Sequence, residues 1–146
     1  MASRPGVKVT AALVEHPPVE PSFAYRFDAP DRSIVISGDT ARSEALVALA
    51  RGADVLVHES LYVPGIDWLA KQMPQDDPAK LREHMLRSHT PVEEVGRIAR
   101  DAGVKTLVLS HFVPGDVPGV TDDDWLGGAR SVFEGEIVVG KDLMEI

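Results

Sequence analysis

The chain has 146 residues, and at roughly 150 residues per domain that is room for one domain and not two. Lysine and arginine total 15 against 23 aspartates and glutamates, a formal net charge of −8, and there is no cysteine; the balance repels polyanions and anionic membranes, and no disulfide supports the core. No apolar run approaches the ~18 residues of a membrane span, and Met1 to Gly6 lack the pattern of a signal peptide, so a soluble, cytoplasmic protein is expected.

Val7, Val9, Ala11 and Leu13 alternate with Lys8, Thr10 and Ala12 as a half-buried strand, which Pro17-Pro18 and Pro21 end. Phe23, Tyr25 and Phe27 form a second strand, and Ala29-Pro30-Asp31-Arg32 turns into the apolar run Ile34-Val35-Ile36. After Asp39 the period becomes helical, with Ala45, Leu46, Leu49 and Ala50 on one face and Gly52 as the stop, before Val55-Leu56-Val57 returns as a buried strand. Residues 64–87, with Pro74 and Pro78 bounding one or two short helices such as Ala79 to Leu86, are read as an inserted lid or cap. Thr90-Pro91-Val92-Glu93 carries the pattern of an N-cap, first-turn proline and capping-box glutamate, opening a helix that Gly103 closes. Val104 to Leu109 is a further strand. Thr121 and Asp122-Asp123-Asp124 cap a last helix through Trp125 and Phe133, so the acidic run needs no calcium to explain it. Ile137 to Val139 and Leu143 to Ile146 read as closing strands. The alternation predicts an α/β fold, a mixed β-sheet flanked by helices.

Three of these strands end in a titratable residue: Asp39 after Ile34-Val35-Ile36, His58 after Val55-Leu56-Val57, and His111 after Leu107-Val108-Leu109. Ligands collect at the carboxyl ends of strands in α/β sheets, and carboxylate oxygen with neutral imidazole nitrogen is a donor set for zinc. A metal-activated water could then attack an ester. Singly, Asp39 reads as a turn residue and each histidine as a structural one; the recurrence carries the metal reading. His16 is read as a loop residue, His84 as a solvated helix residue, Glu59 as either a carboxylate supporting a histidine or a turn cap, and Trp68, Met85 and Trp125 as packing.

Ser37-Gly38-Asp39-Thr40, His58-Glu59-Ser60, Ser88-His89-Thr90 before a helix, and Leu109-Ser110-His111-Phe112 occur in that order. In this the chain resembles the metallo-β-lactamase-fold metal-dependent hydrolases, most closely the branch of tRNase Z-like nucleases and arylsulfatase-like enzymes, and specifically their C-terminal half. The resemblance implies half of an αββα sandwich over residues 1–146. It implies Asp39 as the carboxylate bridging two zinc ions and His111 as a ligand of the second. His58 would protonate the leaving group, and His89 would be a neighbouring active-site histidine.

The family's His-x-His-x-Asp-His motif is absent from the 146 residues, so the zinc ligand set is incomplete and the chain resembles half an enzyme, expected to be inactive or weakly active alone. A zinc-activated water attacking a phosphodiester, sulfate ester or lactone is the activity implied. The acidic balance, with Arg82, Arg87, Arg97 and Arg100 interleaved with Glu83, Glu93 and Glu94, argues against nucleic acid and for a small ester substrate. The alternative is a non-catalytic half-domain whose uncovered sheet is met by a second copy or by a separate N-terminal half.

Overall fold

The alternating residues near the start of the chain form β1 (Lys8–Val14) and β2 (Ser22–Asp28), paired antiparallel, and the turn at 29–32 brings back β3 (Ser33–Ile36) antiparallel to β2. These coordinates are a computed structural model that describes residues 6–146. Residues 1–5, within the stretch expected to carry no signal peptide, lie outside the described residues.

From β3 onward the strands run parallel, because each connection crosses back through helices. α1 (Glu44–Ala50) leads to β4 (Val55–Leu61). Then α2 (Gly65–Gln72), α3 (Pro78–Ser88) and α4 (Val92–Ala102) lead to β5 (Thr106–Val113), and α5 (Asp122–Arg130) leads to β6 (Glu136–Val139). The six strands lie in chain order, β1 to β6, in one mixed sheet.

One face of that sheet is covered. Val35, Leu56, Leu107 and Leu109 are wholly buried against Leu46 of α1, Val95 and Ile98 of α4, and Trp125 of α5. Each such aliphatic side chain contributes about 1.5–3 kcal/mol on burial. Gly96 lets α4 and α5 touch, since a Cβ there would stand 2.7 Å from the Ala129 carbonyl oxygen. The other face is open: Val9, Leu13, Phe23, Tyr25 and Ile36 are exposed, Leu13 by 62%. A continuous apolar face of this kind marks an interaction surface.

Residues 64–87 fold as the α2–α3 pair, with a small core of their own in which Leu61, Ile66, Met85 and Val113 are buried. Three expectations need correction. Thr90 does not cap α4: Pro91 takes that place, because the Thr90 hydroxyl is drawn to the Thr40 carbonyl oxygen at 2.6 Å. Residues 143–146 form no strand, and Leu143 has φ 62, a left-handed conformation that breaks extended pairing. β4 and β5 run several residues beyond the apolar triplets that announced them, to Leu61 and Val113.

Candidate functional site

The site is built where β3, β4 and β5 end. After Ile36 the chain turns through Gly38, whose φ is +62 and where a Cβ would lie 2.6 Å from the Phe23 carbonyl oxygen. Only glycine fits that turn, and it is the turn that presents Asp39. Thr40, fully buried, then ties the turn down. Its backbone N–H donates to Glu59 Oε1 at 2.9 Å, its carbonyl accepts the Thr90 hydroxyl, and its Oγ1 accepts the Glu15 N–H at 3.2 Å. Three separate segments are thereby held to one residue.

Opposite, β5 carries a bulge. Glu59 of β4 stands beside Ser110 and Ser60 beside Phe112, so His111 has no partner in the ladder, and its φ is 40. A non-glycine residue in that region stores strain of about 1–3 kcal/mol and re-aims its side chain. His111 Nε2 reaches Asp39 Oδ2 at 3.3 Å, each side chain about half exposed. Asp39, Ser110 and His111 line a cavity of about 150 Å³.

The third group comes from the end of α3. His89 Nδ1 donates to Glu59 Oε1 at 2.9 Å, and the carboxylate is 1% exposed. Burial alone would lower the His89 pKa, but the hydrogen bond and charge of Glu59, with the charge of Asp39, outweigh it and hold the imidazole above its ordinary 6.5. The His89 ring lies 5.8 Å from that of His111 and 5.1 Å, edge-on, from that of His16. Asp39, His111, His89 and His16 thus form a row, with Glu59 behind it. His16, expected in a loop, is drawn beside His89 by the bond from Ser88 Oγ to the Pro17 carbonyl oxygen, 2.5 Å across 71 positions of sequence, which no local pattern announces.

His58 is not at the rim. It lies on the helix-covered side of β4 with Leu56, is wholly buried, and its Nδ1 donates to the Glu59 carbonyl oxygen at 2.7 Å. Desolvation lowers its pKa, so it stays neutral and cannot be a ready proton donor. His58 Nε2, Glu59 Oε2 and Ser60 Oγ are all buried without a partner. Each such atom costs about 1–3 kcal/mol, a concentration expected at a functional site.

Among the described residues no three side chains converge to hold a metal. Asp39 and His111 nonetheless fit one side of a zinc site. Two donors each about 2.0–2.2 Å from one tetrahedral ion stand roughly 3.4 Å apart, against the 3.3 Å between Oδ2 and Nε2. Two donors are short of the three or four that hold zinc firmly.

A mixed sheet, covered on one face and bearing an Asp–His pair at its strand ends, is one layer of a metallo-β-lactamase fold, and comparison with solved structures agrees. The metallo-beta-lactamase fold protein YhfI from Bacillus subtilis superposes with a TM-score of 0.69 at 22% identity, over 97% of this chain and 49% of that one. The short form of human tRNase Z gives 0.58 at 22%, over 99% and 42%. In sequence, a putative ribonuclease Z of Mycobacterium tuberculosis strain CDC 1551 is 35% identical over 143 residues, 98% of this chain and 60% of that protein. The ribonuclease Z of strain H37Rv is 35% identical over the same share of this chain and 49% of its own length. No family profile matches the chain. The chain has the metallo-β-lactamase fold and resembles the tRNase Z-like proteins over nearly its whole length, and it spans about half the length of the curated relatives it matches.

The expectation of a small ester substrate, with nucleic acid argued against, is overturned by these relatives, which are named as ribonucleases. Net charge misled, because a bulk sum says nothing about where cations stand. Among the described residues no helix is long and apolar enough to cross a membrane.

Proposed function

We propose that the chain is the proton-donating half of a metal-dependent RNA phosphodiesterase, active once a complementary half covers its open sheet face. The observation that carries this reading is the Glu59–His89 pair standing beside Asp39 and His111. Asp39 and His111 would hold one side of the metal, and the relatives' greater length leaves room for the remaining ligands. A divalent ion there would supply Lewis-acid activation of water and of a phosphoryl oxygen.

The chain's own residues account for the rest. With Nδ1 engaged by Glu59, His89 has Nε2 free to carry a proton, and its raised pKa keeps that proton available near neutral pH. Its role is to deliver the proton to the departing oxygen of the cleaved phosphodiester. Glu59 orients the ring and stabilises its cation. This moves to His89 the part first expected of His58, whose burial suits it to hold the Glu59 backbone instead. Residues 64–87 are assigned as a wall of the substrate channel.

The open face supports the need for a partner: it is apolar where a free-standing surface is mixed. A second copy would cover the same face and bring no histidine-rich motif, which is the non-catalytic alternative. Zinc content, solution mass and cleavage of a labelled tRNA transcript separate the two. The chain alone should hold less than one zinc per chain; mixed with a half bearing His-x-His-x-Asp-His it should retain zinc and cut. His111→Ala should then lose zinc and cleavage, and His89→Ala cleavage alone. A stable homodimer that refuses the added half sinks the proposal.

A further inference from the structure

Of the fifteen arginines and lysines of this acidic chain, six are closely neutralised in place. Arg26, Arg42, Arg97, Arg100, Lys105 and Lys141 each hold a carboxylate at direct hydrogen-bonding distance. On α2 and α3 no cation is held that closely. Among the described residues Lys71 and Lys80 have no ion-pair partner, and Arg82 and Arg87 reach Asp67 and Glu83 only at 4.0 and 3.9 Å. α3 carries Arg87 to within two positions of His89. α3 ends at Ser88, beside His89, and Ser88 ties it to Pro17, beside His16.

Between α3 and the proline turn lies a groove of about 230 Å³, lined by Pro17, Pro18, Lys80, Glu83, His84 and Arg87. Lys80, His84 and Arg87 fall at i, i+4 and i+7, one stripe of the helix some 10 Å long. The prolines give the opposite wall a fixed shape with no side-chain carboxylate. Glu83 is the single acid in the lining. The groove therefore offers cations in a line that leads away from the His16–His89 end, on a molecule that elsewhere repels anions.

We propose that this groove is a track for the sugar-phosphate backbone of RNA, with Lys80 and Arg87 each contacting a phosphate adjacent to the one at the strand ends. The inference rests on the reading of the site as an RNA phosphodiesterase and names where its substrate lies. Phosphate contacts of this kind position a strand without reading its sequence, and each removes about one from the salt slope when lost.

The test is fluorescence anisotropy of a labelled tRNA transcript with the full chain, at about 50 and 200 mM KCl. The K80A/R87A double variant should bind about tenfold more weakly at the lower salt, with a slope smaller by about two. K8A/R130A, which removes the same charge from two other cations lacking an ion pair, should stay within about twofold, and Glu83→Gln should bind more tightly. All four side chains are exposed, so folding is preserved. Equal losses in both doubles, or none in K80A/R87A, overturn the track. Cleavage of the same transcript by the complemented chain is scored separately: a transcript bound along the groove and never cut refutes the enzymatic reading alone, a cut transcript whose affinity ignores Lys80 and Arg87 refutes the track alone, and absence of binding by the wild type refutes both.

Discussion

Replacing Glu59 with glutamine keeps the shape of a side chain that is 2% exposed and removes its charge. The amide oxygen can still accept from the Thr40 N–H and from His89 Nδ1, both 2.9 Å from Oε1 in the native protein. What is lost is charge assistance. Hydrogen bonds to a charged group contribute about 1.5–3 kcal/mol and neutral ones about 1, so the variant should be less stable by about 1–2 kcal/mol while His89 is protonated. The new NH₂ takes the place of Oε2, which has no partner, so one unmet group replaces another. The pH dependence follows from the raised His89 pKa. A histidine held above its unfolded value contributes stability that is fully present below about pH 6.5 and is lost as pH rises through the folded pKa. The deficit of Glu59→Gln should therefore be largest near pH 5.5 and smaller by pH 9, where the native carboxylate faces a neutral ring and keeps only the charge-assisted bond from the Thr40 N–H. The Glu59 charge also raises His58 against its burial, so losing that charge at His58 adds to the deficit at low pH in the same direction. Urea denaturation at several pH values measures this, and about 2–4 °C in Tm per kcal/mol gives a second readout. A deficit independent of pH would refute the reasoning, since it would mean that the His89 proton is not held by Glu59.

Gly96→Ala should cost a net 1–2 kcal/mol in chemical denaturation, because about 1 kcal/mol of helix propensity is outweighed by a Cβ pressed against α5, whereas Gly127→Ala, with nothing within 4 Å, should gain up to about 1 kcal/mol. Asp54 is held well below the usual carboxylate range by Lys105 first and by the Ser33 N–H and hydroxyl. Its contribution is fully present above about pH 3.8 and declines as pH falls toward the folded pKa, so in thermal melts Asp54→Asn should lower Tm more at pH 7 than at pH 2. Low pH should also weaken the wild type by another route, since protonating buried His58 is opposed by desolvation; His58→Gln should flatten the fall in stability between pH 6.5 and 5.

Much of this fold is written locally. The alternation from Val7 to Phe27 gives β1 and β2, Gly103 does close α4 in the left-handed conformation, and Asp124 accepts from both the N–H and the hydroxyl of Thr121. The family was legible in four short motifs because each is a strand or helix end with a polar residue attached. What could not be read was whatever depends on which segments meet. Thr90 has the local pattern of an N-cap and is taken instead by a carbonyl 50 positions away. His58 follows an apolar strand as His111 does, yet faces the covered side of the sheet, whereas His111 is thrown out by a bulge that exists only in the pairing with β4. His16 needs α3 beside it to matter. The substrate class was misjudged for the same reason: interleaving of charges along the chain does not reveal that Arg87 meets its one acid only at 3.9 Å while Arg42 is surrounded by three.

Thr40 joins the end of β1, the turn after β3, the end of β4 and the start of α4 through hydrogen bonds made entirely within the chain. For association this is a matter of entropy. Ordering a loop at an interface is charged against affinity, side chain by side chain, and here that ordering is completed at folding. On the function proposed above, a complementary half need supply only its own ligands and an apolar face; it would not have to shape Asp39, Glu59 or His89. The two halves can then meet as preformed bodies, so that reversible assembly and a fixed catalytic geometry are compatible in the same molecule.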